Sequence, residues 1–170
     1  MAVFRGSKFA GNVRFGRVIF AGYAGFGGAT FHRNAWFNSA KFGGKTWFDE
    51  ASFGGKAEFG EASFGGHARF NAAEFGGKPR FGGAKFGDDA GFGGAKFGGN
   101  ARFGAASFGG HAGFDGTNFD GNARFDGASF GGNAGFDDAT FEKVASFRAM
   151  DGNKAFSLAG VVFNALPDFI

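Results

Sequence analysis

Phenylalanine marks the chain at fixed intervals. It stands at 4, 9, 15, 20, 26, 31, 37, 42, 48, 53, 59, 64, 70, 75, 81, 86, 92, 97, 103, 108, 114, 119, 125, 130, 136, 141 and 147, in steps that alternate between five and six residues. The residue two before each of these 27 rings is Ala at 21 positions; the others are Ser7, Val13, Val18, Thr46, Pro79 and Thr117. The residue between is free, with Lys8, Arg14, Trp36, Ser63, Glu74, Gly91 and Asn118 as examples. Two restricted positions around a free one is a period of two, which predicts a short strand with Ala and Phe turned inward. Pairs such as Gly43-Gly44, Gly76-Gly77 and Asp115-Gly116 follow the rings and predict tight turns. The longer step adds one residue, running Asn12, Tyr23, Asn34, Lys45, Lys56, His67, Lys78, Asp89, Asn100, His111, Asn122, Asn133 and Val144. Its Asn, Asp and His content predicts a left-handed corner there.

Steps of five and six keep no face of a 3.6-residue helix aligned, and each helical Gly would cost roughly 1 kcal/mol against Ala. The chain is therefore all-β, a solenoid of short strands and corners. Two coil sizes fit the eleven-residue unit. A four-sided coil takes about 22 residues and gives a rod of ~30–35 Å; a flat two-sided coil takes about 11 and gives ~65 Å. A right-angle corner is the easier link, because reversing the chain across a sheet spacing of ~10 Å asks much of two glycines. The residue before the first Phe of each unit also runs Arg80, Gly91, Arg102, Gly113, Arg124, Gly135, a beat of two units. Four sides are favoured, with the flat form as the alternative. A buried Phe contributes roughly 2–3 kcal/mol, against about 1–2 kcal/mol of backbone entropy per residue. A single coil is thus not expected to fold alone.

Composition narrows the class. The 170 residues include 36 Gly, 30 Phe, two Pro and no Cys, which excludes disulfides and thiolate metal sites. No apolar run approaches the ~20 residues of a membrane-spanning helix, and Arg5, Lys8 and Arg14 interrupt any signal-peptide shape. The expectation is a soluble, cytoplasmic protein with no membrane partner. Net charge is +3 but polarised: residues 1–48 carry seven Lys or Arg and no acid. Residues 103–142 carry Arg124 against Asp115, Asp120, Asp126, Asp137, Asp138 and Glu142.

The Phe register is expected to fail after Phe147, dividing the chain into a solenoid, 1–149, and a C-terminal segment, 150–170, that serves as cap or dimerisation surface. Phe156, Val162, Phe163, Leu166 and Phe169 are its candidate contact residues. Tyr23, Trp36 and Trp47, the only Tyr and Trp, fall at outward or corner positions and are further candidates, aromatics being enriched at contact sites. Chemistry is sparse. His32, His67 and His111 occupy corners of separate units, and Asp49-Glu50, Asp88-Asp89 and Asp137-Asp138 sit at turns. A Phe-filled solenoid offers no pocket to separate their pKa values. No catalytic residue, cofactor or metal site is expected, and the chain reads as a non-enzyme. The open first coil and the opposite charges of the two ends suggest self-association, as a homodimer or head to tail. Direct nucleic-acid binding is disfavoured, since no element is built to read a groove.

The A-x-F-G-G units from Ala2 to Phe147 resemble the pentapeptide-repeat superfamily, in a Phe-centred form with alternating five- and six-residue spacing. The resemblance implies a right-handed quadrilateral β-helix, although the family ordinarily repeats in fives and makes coils of twenty. It also implies a homodimer interface at the C-terminal end. Some members resemble DNA in shape and charge and bind type II topoisomerases such as gyrase. That role wants a strongly acidic rod, and only the C-terminal third of this chain is acidic.

Overall fold

The computed structural model describes residues 1–152 and 155–169. It contains twenty-nine two-residue strands and no helix among the described residues. Every ladder is parallel, and each strand pairs with the one 22 residues away: Ala2 with Ala24, Phe9 with Phe31, Val13 with Ala35, Phe20 with Phe42. The coil is four-sided, and the flat eleven-residue alternative is overturned by this register.

The first face carries outward Val3, Gly25, Trp47, Arg69, Gly91, Gly113, Gly135 and Ser157 in an eight-stranded ladder. The second is also eight-stranded, from Lys8 to Val162. The fourth is seven-stranded, from Ile19 to Asp151. The third face splits into two three-stranded ladders around Pro79, which has no N–H to give. Single bridges from Arg80 to Glu58 and to Arg102 carry the face across the gap.

The Ala–x–Phe triplets turn Ala and Phe inward, and these make up the core from Phe20 to Phe147 except where Thr46, Pro79 and Thr117 take buried Ala positions. The rings make four columns. In the first, Phe26, Phe48, Phe70 and Phe92 follow one another at centroid distances of 4.6, 5.0 and 4.9 Å with planes within 4°. That spacing is the ladder repeat of about 4.8 Å. Rings of opposite columns meet edge to face, as Phe26 with Phe37 at 5.5 Å and 84°. The edge-to-face contact of opposite columns suits ring quadrupoles, and some adjacent columns meet tilted, as Phe26 with Phe31 at 41°.

Two kinds of corner alternate. In the shorter step the turn runs from one Phe to the small residue three on and is closed by an N–H···O bond from that residue back to Phe, such as Ala29 to Phe26 at 2.9 Å. The second residue after Phe is left-handed there: Arg17, Ser39, Glu50, Glu61, Ala72, Ala105, Asp138 and Ala149, and seven glycines including Gly28 and Gly94. The expected left-handed corner at Asn12, Asn34 and their equivalents is therefore corrected; those residues do not have positive φ. Their side chains instead accept hydrogen bonds from the next coil. Asn12 Oδ1 accepts from Asn34 N–H at 3.2 Å, Asn34 from Lys56 at 2.9 Å, Asp89 from His111 at 2.8 Å and Asn100 from Asn122 at 3.1 Å. Glycine in the longer corners answers to crowding: a Cβ on Gly55 would lie 2.6 Å from the Arg33 carbonyl carbon.

The expected loss of register after Phe147 is also corrected. Gly135 pairs with Ser157, Phe141 with Phe163, and Ser146 bridges Asp168, all still 22 apart. What changes is side-chain content. Gly152 stands opposite Phe130 where a ring is due, Leu158 packs against the core one coil above Phe136, and Phe156 takes the inward position that Ala134 holds one coil below.

Candidate interaction surfaces

Because the rings fill the interior, functional side chains project only from strand centres, corners and ends. Tyr23 and Trp47 lie one above the other near the start of the first face. Their rings meet at 5.2 Å and 89°, and Tyr23 covers Gly25, where a Cβ would sit 2.6 Å from the phenol oxygen. Arg69, one coil on, lays its guanidinium over Trp47 at 5.2 Å and reaches Asp49 at 2.6 Å. With Arg5, Gly27, Gly28 and Glu50 these residues line a shallow depression of about 360 Å³. Trp36 is on the opposite, third face, with Arg14 over its ring at 5.1 Å. The three aromatics are thus one pair and one separate residue.

The first and third faces differ beyond Arg69. The first becomes bare glycine at 91, 113 and 135, while the third stacks Arg80, Arg102 and Arg124 in successive coils. Arg80 is 3.7 Å from the buried Glu58. The 22-residue beat of Arg and Gly in the sequence is therefore an arginine ridge opposite a smooth strip.

At the ends apolar surface is open. No residue of the first nineteen is buried, and Val3, Val18 and Ile19 are exposed beside the half-covered Phe4, Phe9 and Phe15. At the other end Phe163 stacks on Phe141 at 5.1 Å and Phe169 on Phe147 at 5.2 Å. Phe156 meets Phe130, Phe136 and Phe147. Each is anchored in the core on one side and open on the other. Leu166 is 90% exposed and makes the plainest apolar projection. Arg148 pairs with Asp168 there, and the hydrogen bond to that carboxylate raises the guanidinium pKa further above its ordinary value.

One cluster escaped the sequence reading. His67, Asp88 and Asp89 come together at the corner between the fourth and first faces. His67 Nε2 is 3.5 Å from Asp88 Oδ2, and Nδ1 is 3.7 Å from Asp89 Oδ2. The signal was present, since 67, 89 and 111 differ by one coil each, but it appears only once the coil size is known.

A comparison with curated proteins found no match. Among solved structures, two trypsin-treated forms of QnrB1, a plasmid-mediated fluoroquinolone resistance protein, align over 95% of this chain and 89% of theirs. Their identities are 16% and 17%, with TM-scores of 0.27 and 0.20. The profile described as "Pentapeptide repeats (9 copies)" matches residues 1–41, 26–74 and 103–151, which is most of the chain. With its repeat, its four-sided coil and this match, the chain belongs to the pentapeptide-repeat family.

Proposed function

We propose that this chain is a non-enzymatic interaction scaffold that associates with further copies of itself through its ends. The observation that carries the reading is the complementarity of those ends. Arg5, Lys8, Arg14 and Arg17 ring the first coil around exposed Val3, Val18 and Ile19. Toward the other end the sequence carries Asp137, Asp138, Glu142, Asp151 and Asp168 against Lys143, Arg148 and Lys154, and Phe156, Val162 and Leu166 are exposed there. Both ends also present ladder edges in the same 22-residue register, which suits head-to-tail docking. Sedimentation velocity at low ionic strength and at about 1 M salt, where the Debye length falls to ~3 Å, tests it. Assembly that weakens with salt and with Leu166→Asp or Ile19→Asp is expected. A monomer at low salt would remove the reading.

The acidic corners at Asp115, Asp126 and Asp137 favour a second reading, an acidic surface presented to a type II topoisomerase. A supercoiling assay with gyrase tests it, and an unchanged assay at saturating protein would discard it.

A further inference from the structure

The geometry points to a divalent transition-metal site at the corner formed by His67, Asp88 and Asp89, with zinc as the representative ion. Three donor atoms, one from each residue, lie within 4.8 Å of one another. Zinc takes imidazole nitrogen and carboxylate oxygen at about 2.0–2.2 Å, so two ligands on a tetrahedral ion stand roughly 3.3 Å apart. The His67 Nε2 to Asp88 Oδ2 separation of 3.5 Å is close to that.

The two carboxylates are held for this purpose by the backbone. Asp88 Oδ1 accepts the Asp89 N–H at 2.9 Å, and Asp89 Oδ1 accepts the His111 N–H at 2.8 Å. Each is left with Oδ2: that of Asp88 faces Nε2 of His67 and that of Asp89 faces Nδ1, so an ion bound through Nε2 takes Asp88 as its first carboxylate. The side chains are a little under half exposed, which leaves water room to complete the coordination shell. His111 is the next residue of the column, but its Nδ1 accepts the Asn133 N–H at 3.2 Å, so it serves the ladder.

A separate observation concerns Asp88 itself. Among the described residues its column reads Gly22, Gly44, Gly66, Asp88, Gly110, Gly132. Glycine suits this column because successive coils come close: a Cβ on Gly66 would lie 3.0 Å from the Gly44 carbonyl carbon, and one on Gly110 would lie 2.7 Å from that of Asp88. Among the described residues of this crowded column, the one with a side chain is the one whose oxygen faces His67. The turn itself uses only Oδ1 of that carboxylate, for the Asp89 N–H, and leaves Oδ2 beside His67.

The test is calorimetric titration of the untagged full-length chain with zinc chloride in metal-free buffer. It is paired with ¹⁵N NMR of the histidine rings. One ion per chain is expected, with the largest shift at a His67 ring nitrogen and a thermal midpoint raised in its presence. His67→Gln should abolish binding. Asp88→Gly, which restores the glycine of the column, should weaken it by about tenfold or more. Asp88→Asn covers the event that the glycine variant packs differently. His111→Asn should bind as the parent does. Absence of saturable binding, binding unchanged in His67→Gln, or shifts centred on His32 or His111 would each overturn the assignment.

Discussion

At the scale of single residues the repeat asks three things: a ring, a methyl, and a backbone that can turn. Phe81 sits in mid-column between Phe59 and Phe103, each at 4.9 Å, and is fully buried. Phe81→Ala should cost about 3–5 kcal/mol in urea unfolding, because coils held by ladders above and below cannot close the void. Phe9→Ala, at the partly open end, should cost clearly less. Glycine has two distinct tasks. A Cβ on Gly121 would stand 2.5 Å from the Gly99 carbonyl carbon, so Gly121→Ala should cost about 1–3 kcal/mol through forced movement of a coil. Ala105 is the reverse case, with φ of 55° and a Cβ that the left-handed region disfavours. Ala105→Gly should stabilise by about 0.5–1 kcal/mol, the relief of strain being partly offset by the looser unfolded chain. The same unfolding experiment reads both signs.

Among elements, the strands are too short to stand alone, and the corners share the task of joining coils. Side-chain acceptors at one corner position run up the rod. The Asn34 side-chain Oδ1 takes the Lys56 N–H, whereas the Lys78 side chain has no acceptor to offer Asn100. Asn34→Ala should therefore cost about 0.5–1.5 kcal/mol and speed amide exchange at Lys56. Lys78→Asn should slow exchange at Asn100. Equal exchange in parent and variant would show that water serves these N–H groups as well. The same logic recurs at the other corners. Asp49 Oδ1 accepts from Asn71, and Asn71 Oδ1 from Gly93, at 3.1 and 3.0 Å. Asp49 thus bonds to the neighbouring coil, whereas Asp88 takes the Asp89 N–H within its own turn.

For the whole molecule, stability is a sum over neighbouring coils, and the end coils lack one neighbour each. That asymmetry concentrates open apolar surface and unpaired ladder edges at the ends, where the charges also differ in sign. If end docking is steered by charge, reversing it at Arg14 and Arg17 to Glu should abolish salt-sensitive assembly while leaving the circular dichroism of the rod unchanged. Assembly that persists with both residues reversed would instead assign docking to apolar contact alone. The arginine ridge at 80, 102 and 124 lies on a side face and should not enter this equilibrium.

Much of this architecture was legible in one dimension. The alternation of five and six, with Ala two before most of the rings, determined the all-β solenoid and its ring-filled core, because inward positions tolerate only shapes that repeat. The 22-residue beat of Arg80, Gly91 and Arg102 favoured four sides. It was the ladder register that decided it, since a period of eleven suits either coil until backbone partners are known. The corner conformations were misread for a related reason. Asn and Asp are frequent both in left-handed turns and as acceptors for a neighbouring chain, and only the position of the next coil separates the two uses. Past Phe147 the ring pattern fades while the backbone pairing continues, because ladder bonds depend on peptide groups and not on the side chains that usually announce them. Tyr23 beside Trp47, and His67 beside Asp88 and Asp89, are neighbours through the winding alone. Residues about 22 apart meet because each turn of the chain rises by a single strand spacing.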